Sequence, residues 1–123
     1  MKRPPTPLLA TLTFLAAAHG VGAEPAGRIE VSDLKPLLLR AIDHGTAHGL
    51  LVGAGADYLR RRFEASAPIE IDVRTLHTLP QAGCSRLEVV TRQRDVLEAD
   101  KRSDQSLTYQ VSFCRDGRFP DKR

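Results

Sequence analysis

The chain has 123 residues, of which 41% are hydrophobic and 27% charged, with 18 lysines and arginines against 15 aspartates and glutamates. Lys2 and Arg3 belong to an N-terminal export segment; without them 16 bases face 15 acids, a net charge of +1, interleaved from Arg28 to Arg123. That balance excludes the concentrated basic face that phosphate neutralisation requires, so no nucleic-acid partner is expected.

The first residues read as three zones: the positive pair Lys2-Arg3, an apolar stretch from Leu8 to Ala18, and the small residues Val21-Gly22-Ala23. This is the pattern of a cleavable signal peptide, residues 1–23, with cleavage after Ala23. The apolar stretch falls short of the roughly 20 residues that span a bilayer, so no membrane anchor is expected after cleavage. Residues 24–123 are then enough for a single small domain and too few for two.

Arg28 to Val31 alternates briefly, as an edge strand or as plain extended chain. Ser32 or Asp33 offers a helix N-cap, Pro36 fits the first turn, and Leu34, Leu38, Ala41 and Ile42 share one helical face, which predicts a helix over about 33–44. Gly45 then serves as a left-handed C-terminal residue and Thr46 caps a second helix over about 46–65, ending before Pro68. A single kinked helix is the alternative. In both cases Gly45, Gly49 and Gly53 form a smooth strip on which another part of the chain packs, while Arg60, Arg61 and Arg62 face water.

Beyond Pro68 the period becomes two. Ile69, Ile71 and Val73 alternate with Glu70, Asp72 and Arg74, a strand over about 69–75. Cys84 and Cys114 form an even pair without C-x-x-C spacing, and in an exported chain they are expected to close as a disulfide. Setting Cys84 opposite Cys114 on antiparallel strands of about 85–92 and 106–114 places Leu87 opposite Val111, Val89 opposite Tyr109 and Thr91 opposite Leu107 on one face. Arg86 then meets Ser112, Glu88 meets Gln110 and Val90 meets Thr108 on the other, a separation of apolar from polar that a one-residue slip would destroy. Residues 93–105 are read as a long, charged, exposed loop, and Asp116-Gly117 as a turn that lets Phe119 fold back. The fold class is α+β: two helices on a three-stranded, mainly antiparallel sheet with one disulfide.

No catalytic constellation emerges. There is no G-x-S-x-G elbow, Gly53-Ala54-Gly55 lacks the rest of a phosphate loop, and Glu70 and Asp72 read as a solvated strand face rather than an acid–base pair. No cofactor is expected. His44 and His48 stand four apart, the spacing that sets two imidazoles on one side of a helix, with Asp43 or His77 as a third ligand; Gly45 between them works against the alignment. The remaining surface of interest is the polar sheet face with Arg86, Glu88, Arg92, Gln110 and Ser112, whose arginines suit bidentate contacts to the carboxylates of a protein partner.

Three segments carry a resemblance: Ala67 to Val73 (A-P-I-E-I-D-V), Gly83 to Leu87 (G-C-S-R-L) and Phe113 to Pro120 (F-C-R-D-G-R-F-P). Together they resemble small exported accessory proteins of proteobacterial conjugative-transfer and type IV secretion loci, over much of residues 67–120. The resemblance implies a periplasmic component of a DNA-transfer apparatus, with an envelope or secretion-apparatus protein as partner and no enzyme activity tied to particular residues. Two other functions stay open: a periplasmic metal-binding protein or small metalloenzyme using His44 and His48, and an inhibitor of a secreted hydrolase that presents the 93–105 loop.

Overall fold

The computed structural model describes residues 2–5 and 27–122. The signal-peptide reading, including cleavage after Ala23, rests on residues 6–26, which lie outside the described residues. In chain order the elements are β1 (Ile29–Val31), α1 (Lys35–His44), β2 (Thr46–Leu51), α2 (Ala54–Arg62), β3 (Glu70–Thr78), β4 (Cys84–Glu98) and β5 (Lys101–Cys114). The strands form one sheet in the order β1-β2-β3-β4-β5, with β1 parallel to β2 and every other pair antiparallel. The expected three-stranded sheet is therefore corrected to a five-stranded mixed one.

The helix expected over 33–44 is α1. Pro36 sits in its first turn, the N-cap is Leu34 rather than the expected Ser32 or Asp33, the Asp33 carboxylate still accepts from the Lys35 N–H at 2.8 Å, and Gly45, at φ 88°, ends the helix by donating its N–H to the Ala41 carbonyl. A β-α-β unit results, because α1 carries the chain from β1 back to a parallel β2. Thr75 pins the end of α1 to β3: its N–H donates to the Gly45 carbonyl and its hydroxyl to the Ala41 carbonyl, both at 2.8 Å.

The helix expected over 46–65 does not exist as such. Thr46–Leu51 is a central strand, and only Ala54–Arg62 is helical. The reason lies in small residues at alternate positions. Ala47 and Gly49 face α1 and are buried while Thr46 and His48 face water, a period of two that alanine and glycine conceal from any apolar count. Gly49 lies directly beneath Leu37, and a Cβ there would overlap the leucine's methyl carbons. The supposed glycine strip is thus three separate devices: a helix stop at Gly45, a close approach at Gly49, and at Gly53 a left-handed residue of φ 91° entering α2.

One face of the sheet is apolar and covered by α1. Val31, Leu37, Leu38, Ala41, Ala47, Ile71, Val73, Leu87, Val89 and Phe113 make the core, all nearly or fully inaccessible. At roughly 25 cal/mol per Å² of buried apolar surface this layer supplies the main driving force for folding. By contrast α2 lies at one margin, where it buries Ala56 and leaves Leu59 half-buried.

The register of β4 and β5 is the expected one: Cys84 faces Cys114, Leu87 faces Val111, Val89 faces Tyr109, and Cys84 and Cys114 are joined by a disulfide. The charged loop expected over 93–105 is instead the outer arm of this hairpin. Pairing runs on to Glu98 opposite Lys101, across a two-residue turn in which Ala99 (φ 50°) and Asp100 (φ 63°) both take the positive φ of a type I′ turn. Between Gln93 and Val96 the register shifts by one residue at a bulge containing Asp95, whose N–H donates to the Asp104 carboxylate at 3.0 Å. The arm is held because the Leu97 N–H donates to the Phe63 carbonyl (3.0 Å) and Arg102 to the Glu64 carbonyl (3.1 Å). Charge alone did not make this segment a loop; anchored backbone bonds kept it paired. Phe119 does fold back, meeting the Phe113 ring edge-on at 5.4 Å.

Candidate functional site, a charged sheet face

Side chains alternate along each strand, so the face opposite α1 collects Thr46 and His48 from β2, Glu70, Asp72 and Arg74 from β3, Arg86, Glu88, Val90 and Arg92 from β4, and Ser106, Thr108, Gln110 and Ser112 from β5. All five residues expected to bind a partner, Arg86, Glu88, Arg92, Gln110 and Ser112, are brought together on it.

Asp72 is the hub. Its Oδ1 accepts from Arg28 Nη1 at 2.9 Å and from His48 Nδ1 at 2.7 Å, and its Oδ2 from Arg92 Nη1 at 2.8 Å. Burial works against the charged form of this carboxyl, but the hydrogen bonds from His48 and Arg28, with the arginine's charge, outweigh it and hold Asp72 below the usual aspartate range. Arg28 enters from just before β1, caps the Gly49 and Ile71 carbonyls at 3.2 and 3.3 Å, and lies 3.6 Å from Glu70. With Asp72 accepting, the Nδ1 of His48 carries the hydrogen, and the ring is more than half exposed.

Two smaller groups flank the hub. Arg74 donates to Glu88 through Nε (2.8 Å) and Nη2 (3.4 Å), and this contact lowers the Glu88 carboxyl below its ordinary range. Arg86 donates to the Gln110 side-chain oxygen (3.1 Å) and to the Ser112 hydroxyl (2.9 Å). The side chains of Arg74 and Arg92 remain more than half exposed while the guanidinium of each is held by a carboxylate. Such groups have been positioned before any partner arrives, which reduces the ordering cost of binding.

Beside Arg92, a cleft of about 420 Å³ opens between the start of β3 and the hairpin, lined by Pro68, Glu70, Arg92, Arg94, Asp104 and Ser106 among others. It continues the charged face towards the hairpin arm.

The candidate metal ligands are not aligned as the helical spacing required. His44 ends α1, whereas His48 lies on β2 beyond the turn at Gly45 and is bound to Asp72. Asp43 is engaged by Arg115 Nε at 2.9 Å, and among the described residues no group of three or more histidine, cysteine, aspartate or glutamate side chains is placed to hold a metal ion. Glu70 and Asp72 share this face as acceptors for arginines rather than as a proton-exchanging pair. A His–Asp pair is one part of a general base, yet among the described residues no hydroxyl or thiol hydrogen-bonds to His48.

Sequence reasoning missed Arg28, His48 and Arg74 as members of this face. The signal for His48 was present in Thr46-Ala47-His48-Gly49, an alternation of small buried and polar exposed residues. For Arg28 there was none, since its partner lies 44 residues away.

Comparison with protein-family models, with curated proteins and with solved structures found no match. The disulfide and the absence, among the described residues, of any helix long and apolar enough to cross a membrane are compatible with an extracellular or periplasmic place of action.

Proposed function

We propose that this is an exported, periplasmic accessory protein without chemistry of its own, which binds another envelope protein through the sheet face opposite α1. One observation carries the reading: Arg74, Arg86 and Arg92 stand on an open face, each already oriented by Glu88, by Gln110 and Ser112, or by Asp72. Forked guanidinium donors fixed in this way match carboxylates, and three of them spread over one broad face suit the carboxylates of a protein surface. Export is supported by the zones of residues 1–23 and by the Cys84–Cys114 bond. The resemblance over residues 67–120 is what suggests a conjugative-transfer or type IV secretion apparatus as the partner's setting.

The test is affinity capture from envelope extracts with the wild-type protein and with an Arg86→Ala, Arg92→Ala variant. A partner retained by the first and lost by the second supports the reading. Equal capture by both, or turnover of a small substrate that survives the double substitution, overturns it.

A further inference from the structure

Among the described residues no strand pairs with the outer edge of β5. Natural sheets blunt a free edge with charges, prolines, bulges or shortness. At the opposite edge of this sheet β1 is only three residues long, whereas β5 runs for 14. Its charges, Lys101, Arg102 and Asp104, all lie near the hairpin tip, close to the bulge in β4. From Gln105 to Cys114 the strand reads Q-S-L-T-Y-Q-V-S-F-C, with neither a charge nor a proline.

The direction of its backbone groups follows from the disulfide pair. Cys84 donates to the Gln81 carbonyl and accepts from the Leu79 N–H, while Cys114 donates to the Arg118 carbonyl; the two cysteines face each other without bonding through their backbones. In an antiparallel ladder such pairs alternate with bonded ones, so the N–H and C=O groups of Ser106, Thr108, Gln110 and Ser112 point outward from the sheet. On the α1 side of the sheet the same stretch exposes Leu107 (63%) and Tyr109 (39%), next to an apolar cleft lined by Leu59, Phe63, Ile69 and Val96.

We propose that β5 pairs antiparallel with β5 of a second copy of this chain, about a two-fold axis at Thr108, so that two sheets join edge to edge. Like-on-like pairing normally fails on like charges, and a strand without charge from 105 to 114 meets no such penalty. In this register Thr108 faces itself, Ser106 faces the partner's Gln110, and Leu107 faces the partner's Tyr109 twice over. Each crossing is an aliphatic–aromatic pair that covers the side chains left bare in the monomer. Outward-pointing groups meet outward-pointing groups, which the alternation of the ladder requires. A two-fold axis perpendicular to the sheet also keeps both charged faces on one side, doubling the surface assigned above to a protein partner.

Sedimentation velocity on the purified full chain at tens of micromolar, with the disulfide intact, tests this. Wild type is expected at twice the monomer mass, and Thr108→Lys, which sets two ammonium groups face to face at the axis, at the monomer mass with unchanged far-UV circular dichroism. Thr108→Cys supplies an arm that does not depend on tolerance of lysine: its new thiols meet at the axis and give a covalent dimer on mild oxidation, while Ser103→Cys, far from the axis, does not. A wild-type monomer at all concentrations, or cross-linking as efficient at 103 as at 108, overturns the proposal.

Discussion

Arg28 and Asp72 are joined across two intervening strand boundaries: the guanidinium that precedes β1 lies over β2 and reaches the carboxylate of β3 with Nη1 2.9 Å from Oδ1. A three-residue strand makes few ladder bonds of its own. The side-chain clamp therefore ties β1, and with it the start of the β-α-β unit, to the body of the sheet.

Replacing Asp72 with asparagine leaves Arg28, whose side chain is 16% exposed, with only the longer 3.6 Å contact to Glu70 as counter-charge and weakens the clamp. The expected loss is about 1–2 kcal/mol, kept at the lower end because Arg92 and His48 are solvated. The effect depends on pH. The folded carboxyl titrates below its ordinary value of 3.8, so its contribution is complete above that value and is lost as pH falls through the lower folded one. Urea denaturation should therefore separate wild type from D72N by an amount that shrinks as pH falls below about 4. A difference that grows as pH falls below about 4 would contradict the arrangement.

Gly49→Ala should destabilise the fold by about 1–3 kcal/mol, because the added methyl meets Leu37 in a closed core. Combining it with Leu37→Ala tests the contact directly. The cavity left by the leucine accommodates the new methyl, and a double-mutant cycle should show the pair losing less than the sum of the two single losses. Strict additivity would mean that the two side chains do not meet.

Removing the disulfide with Cys84→Ser and Cys114→Ser frees a loop with 30 residues of sequence separation. The chain-entropy estimate puts the cost at about 3–4 kcal/mol, a large fraction of the stability of a domain this small. Thermal unfolding of wild type with and without reductant should show a lowered midpoint on reduction, whereas the doubly substituted chain should be indifferent to reductant.

Ala99 and Asp100 both hold positive φ at the hairpin tip, a conformation that alanine disfavours and that aspartate adopts less readily than glycine. Substituting Asn-Gly at these positions should raise stability by about 0.5–1 kcal/mol without moving the register of β4 and β5. An unchanged or lower denaturation midpoint would show that the turn is not of type I′.

Elements governed by neighbours in the chain were readable from residue order. α1 could be seen in its proline, its apolar period and its terminal Gly45, and the register of β4 with β5 followed from two cysteines and an alternation that tolerates no slip. The same alternation collected Arg86, Glu88, Arg92, Gln110 and Ser112 on one face. β2 escaped because its inward positions are Ala47 and Gly49, which contribute too little apolar surface to mark a buried side; Leu37 covers Gly49, and Leu37 is brought there only by packing. The outer arm of the hairpin escaped because its pairing is secured by the carbonyls of Phe63 and Glu64, more than 30 residues upstream. Asp72 became a hub by the same route. Burial patterns with a short period are encoded locally, whereas which cation meets which carboxylate depends on strand order, and strand order is chosen by the whole core at once.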